Sequence, residues 1–141
     1  MGEKQKENKL LYVGQKAFIG KGEEVLVIFD PVWGIDFPGG RLAANETDPI
    51  LALKREIKEE AGLAVEVGNP FTVWFRKVPM HALKNAGAEI YLVGFRCRYI
   101  SGEVSLSGDH DSYKWVTKET CRELDDGSEY FRALQKYFEE E

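Results

Sequence analysis

The sequence predicts an α/β fold in which a mixed β-sheet lies between helices. Segments with the apolar pattern of strands occur on both sides of one amphipathic helix, and the chain closes with a second helical pattern. A hairpin, a helix, further strands and a terminal helix in this order favour a mixed sheet covered by helices. The 141 residues, 43% of them hydrophobic, suffice for one globular domain with a sizeable core.

The first part of the chain is predicted to be a flexible tail followed by a β-hairpin. Residues 1–9 have too little apolar content to offset the cost of ordering, so we expect the domain over residues 10–141. Residues 10–19 and 24–29 have strand patterns, and a glycine-rich turn separates them. The second of these runs is almost continuously apolar, which is typical of a buried strand.

A helix with clear start and stop signals follows the hairpin. Asp48 is a good N-cap, Pro49 fits the first helical position, and Gly62 can adopt the left-handed conformation that ends a helix. Helical spacing places four apolar side chains on the face that should pack on the core: Ile50, Leu53, Ile57 and Ala61.

The second half of the chain is predicted to add four strands, over residues 65–67, 71–78, 88–99 and 113–116. We expect the last of them to pair with the strand before it. The connection over residues 79–87 is long for a hairpin loop. It is interpreted either as an irregular connection or as a segment that covers substrate.

The carboxyl-terminal part is predicted to contain a short helix after Thr117 and a longer one from about Ser128. Five large apolar or aromatic side chains follow helical spacing in the longer helix and should pack in the core: Tyr130, Phe131, Leu134, Tyr137 and Phe138.

Composition excludes several classes of protein. A net charge of −5 and a pI near 5.2 argue against a general nucleic-acid binder or a membrane-surface binder. The chain has neither a secretory signal pattern nor an apolar run of about 18 residues. Cys97 and Cys121 have no spacing typical of a metal site or a disulfide framework, so we expect reduced, buried thiols. A soluble cytoplasmic protein is the expectation.

Three carboxylates share one face of the predicted helix. Glu56, Glu59 and Glu60 repel one another at helical spacing unless a positive charge lies between them. Such residues often only solvate an exposed face. The Gly39-Gly40 pair upstream favours a ligand site instead, because glycine lets the backbone approach a metal or phosphate closely. Oxygen ligands suit Mg²⁺ or Mn²⁺.

The stretch from Gly40 to Leu63 resembles the box motif of the Nudix hydrolase family. Its matching residues stand in the family order: Gly40, Glu46, Arg55, Glu56, Ile57, Glu59, Glu60, Gly62 and Leu63. One departure is visible, since eight residues and not seven separate Glu46 from Arg55. We place the extra residue in the loop before the helix, where an insertion costs little.

The resemblance implies a Nudix-type α/β/α sandwich and Mg²⁺-dependent hydrolysis, with Mn²⁺ as a possible substitute. It implies four metal ligands, namely the backbone carbonyl of Gly39 and the carboxylates of Glu56, Glu59 and Glu60. Arg55 would orient the carboxylates. The general base would be Glu56 or Glu59, with Asp109 in a later loop as the alternative.

By the same resemblance, the substrate is a nucleoside diphosphate linked to another moiety. A nucleoside triphosphate or modified nucleotide is preferred, and an ADP-sugar such as ADP-ribose or a dinucleoside polyphosphate is the alternative. The residues expected to contact it are Trp33, Phe37, Arg41, Trp74 and Arg76, with Phe75 as a further candidate for stacking on a base. A monomer or homodimer is expected. A ligand- or RNA-binding module on the same fold is the non-enzymatic alternative.

Overall fold

A seven-stranded β-sheet, two α-helices and one 3₁₀ helix are present in the computed structural model, which describes residues 6–140. The strands are β1 (Tyr12–Lys21), β2 (Glu24–Asp30), β3 (Gly34–Asp36), β4 (Gly39–Arg41), β5 (Ala64–Lys77), β6 (Glu89–Ser101) and β7 (Ser112–Val116). The helices are α1 (Pro49–Ala61) and α2 (Glu129–Glu139), and the 3₁₀ helix is Thr120–Leu124.

The sheet is mixed, as the sequence predicts. Its strand order is β3-β2-β1-β6-β5, with β4 paired to β1 and β7 paired to β2. The β1 and β6 strands are parallel, whereas the other pairs are antiparallel. The predicted hairpin is confirmed as β1 and β2. β1 therefore lies at the centre of the sheet, with β4 and the start of α1 against it.

Helix α1 begins and ends where the sequence predicts. One carboxylate oxygen of Asp48 accepts the backbone N–H groups of Ile50 and Leu51 at 3.1 and 3.2 Å, and Gly62 has a left-handed φ of 73°. The predicted packing face needs one correction. Ile50 is 36% exposed, because the buried face is centred near Leu53 and takes in Ala52 and Glu56.

The two helices cover opposite faces of the sheet, which confirms the predicted layers. Leu53, Ile57 and Ala61 of α1 pack in one core cluster, with residues of β1, β2 and β6. Helix α2 contributes to the other cluster, and its N-cap Ser128 accepts the N–H of Phe131 at 3.1 Å. The aromatic stripe of α2 is buried or half-buried there, as predicted.

Two predictions about strands are wrong. β7 pairs with β2 and not with β6, because β1 and β5 already occupy both edges of β6. The two strands predicted over residues 65–67 and 71–78 are one strand, β5. Shifts in pairing register around Pro70 absorb the interruption that the sequence suggests, and pairing with β6 resumes on both sides.

Three further expectations concern the termini, the thiols and the membrane. Residues 1–5 of the predicted tail lie outside the described residues, and residues 6–9 are exposed and belong to no helix or strand. Cys97 and Cys121 are buried free thiols, as predicted. Within residues 6–140, neither helix has the length and apolar character that a membrane crossing requires.

Candidate active site

Two glycines bring the backbone of β4 against helix α1. A side chain at Gly39 would place its Cβ 1.9 Å from the carbonyl oxygen of Gln15, and one at Gly40 would place it 1.8 Å from a carboxylate oxygen of Glu56. The φ of Gly39 is also 150°, a conformation that side chains disfavour. The β1 backbone and the positive φ require glycine at position 39. The missing side chain at Gly40 leaves the space that the Glu56 carboxylate of α1 occupies.

Glu60 is fixed directly by this backbone. Its Oε2 accepts the N–H of Gly39 at 2.9 Å. That N–H does not bond to β1, because the β1–β4 hydrogen bonds alternate along the strands. The N–H of Ala17 donates to the carbonyl of Pro38 and the N–H of Leu42 donates to the carbonyl of Val13, which leaves Gly39 at a position that does not bond to β1. Burial raises the pKa of the Glu60 carboxyl, although the N–H of Gly39 and the charge of Lys16 oppose the shift. Glu60 is therefore a half-buried carboxylate that a hydrogen bond holds at the Gly39-Gly40 pair of β4.

Glu56 is a buried carboxylate with an unsatisfied oxygen. The residue is only 8% exposed, and its Oε1 has no hydrogen-bond partner among the described residues. Burial raises the pKa of Glu56 to about 7. Buried polar groups nearly always have a partner, so such an atom suggests a missing ligand. A cation is the ligand that its charge favours.

Glu59 belongs to an exposed ion network with Glu46 and Arg55. Arg55 donates to Glu59 and to Glu46 at 2.9 Å each. The other oxygen of Glu46 accepts the N–H of Ala43 at 2.8 Å, and these two bonds lower the pKa of the Glu46 carboxyl. Asp48 caps the helix. The extra loop residue therefore leaves Glu46 in contact with Arg55.

A second, buried ion network consists of Lys16, Asp36 and His110. The Lys16 Nζ lies 3.0 Å from Asp36 Oδ1, and the His110 Nε2 lies 2.9 Å from Asp36 Oδ2. His110 Nδ1 is 3.8 Å from Glu60, which links the network to helix α1. The hydrogen bond to Asp36 raises the pKa of His110. The buried network thus connects β1 and β3 to the Glu60 carboxylate of α1.

Some of these groups line a cleft of about 870 Å³, whereas Glu56 and Glu59 are not among its lining residues. Its lining includes Lys16, Asp36, Glu60 and His110, together with Gly39 and Gly40. The predicted contacts Trp33, Arg41 and Arg76 also line it, and residues from the 79–87 loop form one wall. An adjoining cavity of about 330 Å³ shares Trp33 and Arg76 with the cleft. The larger cleft therefore contains acidic and basic groups and one exposed aromatic ring.

Two predicted substrate contacts lie in the core instead. Phe37 is fully buried and stacks on Phe18, with ring centroids 4.0 Å apart. Trp74 is 7% exposed and packs edge-on against Tyr130. Both were expected at the cleft because aromatic rings suit base stacking. In the structure both rings belong to the core cluster that β1 and α2 share. Phe75 is 44% exposed and lines the smaller cavity.

The structure also places the remaining predicted residues. Asp109 is exposed and lines the cleft beside His110, so its proposed role as a base stays a prediction. Glu59 faces Arg55 and lies apart from the cleft lining. Among residues 6–140, no three His, Cys, Asp or Glu side chains form a ready metal site. The assignment of Glu59 as a metal ligand likewise stays a prediction.

The donor set nevertheless fits a divalent cation. Glu56 and Glu60 supply oxygen ligands of the kind that Mg²⁺ and Mn²⁺ prefer, next to the backbone of Gly39. Glu56 carries the unsatisfied buried oxygen described above. A cation would offset both the desolvation of Glu56 and its repulsion from Glu60. Glu56, Glu60 and the Gly39 carbonyl are the groups that could hold it.

The sequence analysis did not identify Lys16, Asp36 or His110 as site residues. Lys16 and Asp36 are far apart in the chain and meet only through the pairing of β1, β2 and β3. A charged residue inside a predicted strand was the available signal, because such residues are seldom buried without a partner. Only Lys16 carried this signal, because Asp36 lies in β3, a strand that the sequence analysis did not predict.

The chain is similar to known proteins over most of its length. The NUDIX domain family profile matches residues 5–137. A MutT protein from Methanosarcina mazei Go1 has 22% identity and a TM-score of 0.75, covering 96% of this chain and 97% of that chain. A C. elegans Ap4A hydrolase in a binary complex has 21% identity and a TM-score of 0.71, covering 90% and 95%.

An ADP-ribose pyrophosphatase from Streptococcus suis 89-1591 has 21% identity and a TM-score of 0.60, covering 78% of this chain and 76% of that chain. At these identities the structural similarity shows the fold alone. Among curated proteins, none matches this chain significantly. The match to the family profile, in contrast, covers most of the chain, including the residues of β4 and α1. The chain therefore belongs to the Nudix hydrolase family.

Proposed function

We propose that this protein hydrolyses a pyrophosphate bond in a nucleoside diphosphate linked to another moiety, with Mg²⁺ as the metal. The observation that carries the proposal is the buried, unsatisfied Glu56 carboxylate against Gly40, beside Glu60 and the cleft. Keeping such a group desolvated is costly unless a cation binds it. Nudix hydrolases generally use divalent metal ions, which agrees with this interpretation.

The residues of the chain divide the work as follows. Glu56, Glu60 and the carbonyl of Gly39 hold the metal, which would neutralise phosphoryl charge and lower the pKa of a bound water. A helix glutamate, Glu59 or Glu56, accepts the proton of the attacking water, and Asp109, which lines the cleft, is the alternative base. Arg55 holds Glu59 by a charge-assisted hydrogen bond. Arg41 and Arg76 at the cleft attract the anionic substrate.

A nucleoside triphosphate or modified nucleotide remains the first substrate candidate. Trp33 is 42% exposed and lies under the guanidinium of Arg76 at 5.5 Å, so its ring offers a surface for one base. The adjoining cavity beside Trp33 gives additional room for the base or its substituent.

A dinucleoside polyphosphate is the second candidate. A second aromatic ring, Tyr12, lies 4.7 Å from the guanidinium of Arg41 and is 53% exposed. Arg41 lines the cleft, as does Arg76 beside Trp33. Two aromatic rings paired with cleft arginines could stack two bases. The similarity to an Ap4A hydrolase supports testing this class.

Product release from a substrate panel tests the function. The panel contains nucleoside triphosphates, 8-oxo-dGTP, ADP-ribose and diadenosine tetraphosphate, each assayed with Mg²⁺ and with excess chelator. We expect Mg²⁺-dependent cleavage of one class, with products separated by anion-exchange chromatography. Cleavage that persists in chelator would contradict the metal assignment. A folded protein that binds a panel nucleotide but cleaves none would favour the ligand-binding alternative.

A further inference from the structure

Lys16 is a largely buried cation that lines the cleft. Its side chain is 12% exposed and lines the cleft together with Gly14, Gly39, Gly40 and Glu60. Burial would lower the pKa of Lys16, but Asp36, Tyr130 and Glu60 together outweigh burial and raise the pKa above its usual range. Lys16 therefore stays protonated beside the Gly39-Gly40 strand, where the metal-binding groups lie.

Asp36 is itself held from three directions. Its Oδ1 accepts the N–H of Phe37 at 2.7 Å and lies 3.0 Å from the Lys16 ammonium. Its Oδ2 lies 2.9 Å from His110 Nε2. Burial would raise the pKa of Asp36, but Lys16 and these hydrogen bonds lower it to about 2. The carboxylate is therefore ionised and confined to one orientation.

The position of Lys16 suits an incoming anion. An ammonium group has three N–H donors, and Asp36 accounts for one direction only. The three glycines that line the cleft near Lys16 have no side chains to cover it. A phosphate oxygen entering the cleft could accept from the ammonium, and a charged hydrogen bond of this kind is among the stronger ones.

We propose that Lys16 binds a phosphate group of the substrate and that Asp36 is the positioning residue that aims the Lys16 ammonium into the cleft. This inference rests on the proposed function for the identity of the anion, a diphosphate. His110 supports Asp36 from the other side, so the aim of Lys16 depends on all three members of the buried ion network. Arg41 and Arg76 also line the cleft and attract the anionic substrate, whereas Lys16 contacts one of its phosphate groups.

Binding of imidodiphosphate, a diphosphate analogue that resists hydrolysis, tests the inference in Mg²⁺ buffer by calorimetry. We expect Lys16→Met to weaken binding about tenfold or more, because a charged hydrogen bond is lost. Lys16→Arg keeps the charge and should bind within about threefold of wild type. Lys136→Met is the matched control, since Lys136 is an exposed, ion-paired lysine of α2 outside the cleft.

A double-mutant cycle tests the role of Asp36. If Asp36 acts through Lys16, Asp36→Asn weakens binding on its own but adds less than about twofold to the effect of Lys16→Met. The double variant also removes both buried charges, so it provides a folded comparison even if Lys16→Met alone does not fold. Losses that multiply in the double variant would overturn the positioning role. Imidodiphosphate binding within twofold of wild type in the double variant would overturn the phosphate contact.

Hydrolysis of the substrate panel, measured in parallel, separates this inference from the proposed function. If wild type binds imidodiphosphate through Lys16 but cleaves no nucleotide, the proposed function fails and the phosphate contact stands. If wild type cleaves a nucleotide and the Lys16 variants keep its KM, the present inference fails alone. A KM increase with nearly unchanged kcat in Lys16→Met is the expected result, because the contact is made with bound substrate.

Discussion

The two ion networks that flank the acidic helix have similar distances and different surroundings. In the exposed network, Arg55 contacts Glu46 and Glu59 at 2.9 Å, and the side chains of Arg55, Glu59 and Glu46 are 51%, 60% and 17% exposed. In the buried network, Lys16 and Asp36 lie 3.0 Å apart with side chains only 12% and 15% exposed. Geometry alone would rate the two networks as equal.

The different burial gives the two networks different contributions to stability and different roles. Water screens the exposed network, so its contacts contribute little to stability and mainly orient Glu59. The buried network has lost its hydration, and removal of one partner leaves an uncompensated charge. We therefore expect mutations in the exposed network to change the reaction rate with little change in stability. Mutations in the buried network should change both.

Glu59→Gln is expected to have the largest effect on rate. Removal of a general base typically slows a reaction by about 10²- to 10⁴-fold, and the exposed Glu59 carboxylate makes no contribution to core packing. The unfolding midpoint should stay at the wild-type value. Steady-state kinetics and thermal denaturation check both statements. Glu66→Gln is the matched control, because Glu66 is 63% exposed and also paired with an arginine, Arg98. Normal turnover in Glu59→Gln would exclude Glu59 from the mechanism.

Asp36→Asn is expected to have the largest effect on stability. Loss of one partner of a buried ion pair costs about 3 kcal/mol or more of unfolding free energy. The pKa of Asp36 is lowered from 3.8 to about 2, so the ionised carboxylate stabilises the folded protein above about pH 4. That stabilisation is lost as the pH falls towards 2. Urea denaturation at pH 7 and pH 3 should show a smaller difference between variant and wild type at pH 3. An equal difference at both values would contradict the ionic explanation.

Glu56→Gln is expected to stabilise the metal-free protein. The pKa of Glu56 is raised from 4.5 to about 7, so the folded state prefers the neutral carboxyl and loses stability as the pH rises from about 4.5 through 7. An amide avoids this cost, which should increase the unfolding free energy by about 1 to 3 kcal/mol at pH 8. Denaturation in chelator at pH 8 and pH 4 measures the gain, which should vanish at pH 4. A destabilised variant at pH 8 would contradict it.

Arg55→Met should have the smallest effect on stability of these variants. The side chains of Arg55 and Glu59 are exposed to water, although Glu46 is only 17% exposed, so the unfolding midpoint should remain close to wild type. Loss of a group that orients a catalytic carboxylate typically costs about 10- to 100-fold in activity. Turnover and thermal unfolding of the same preparation test the contrast. A large fall in the unfolding midpoint would show that the exposed network also supports the fold.

The sequence predicted the parts of the molecule that depend on local signals. Asp48, Pro49 and Gly62 define α1 through cap chemistry that acts within a few residues, and the alternating apolar runs define most strands. The pairing of β7 with β2 was missed, because strand partners depend on which edges the rest of the sheet leaves open. Local pattern contains no information about that competition.

The candidate site shows the same division. The motif from Gly40 to Leu63 identified Glu56, Glu59 and Glu60, and the structure explains Gly40 as the space for Glu56. It did not identify Lys16 or Asp36, which meet only after the sheet has formed. Phe37 and Trp74 were expected at the cleft because aromatic rings can stack on bases. The expectation failed because the sequence does not show on which face of the sheet an aromatic residue lies. Both pack in the core.

Binding of Mn²⁺ followed by electron paramagnetic resonance tests the central claim most directly, that the Gly39-Gly40 strand and the acidic helix form a divalent-metal site. Titration of wild type, Glu56→Gln and the control Glu66→Gln compares a buried carboxylate against Gly40 with an exposed one on β5. We predict that Glu56→Gln weakens Mn²⁺ binding about tenfold or more and that Glu66→Gln leaves it unchanged. Equal binding by all three proteins would contradict the assignment of the metal to this site.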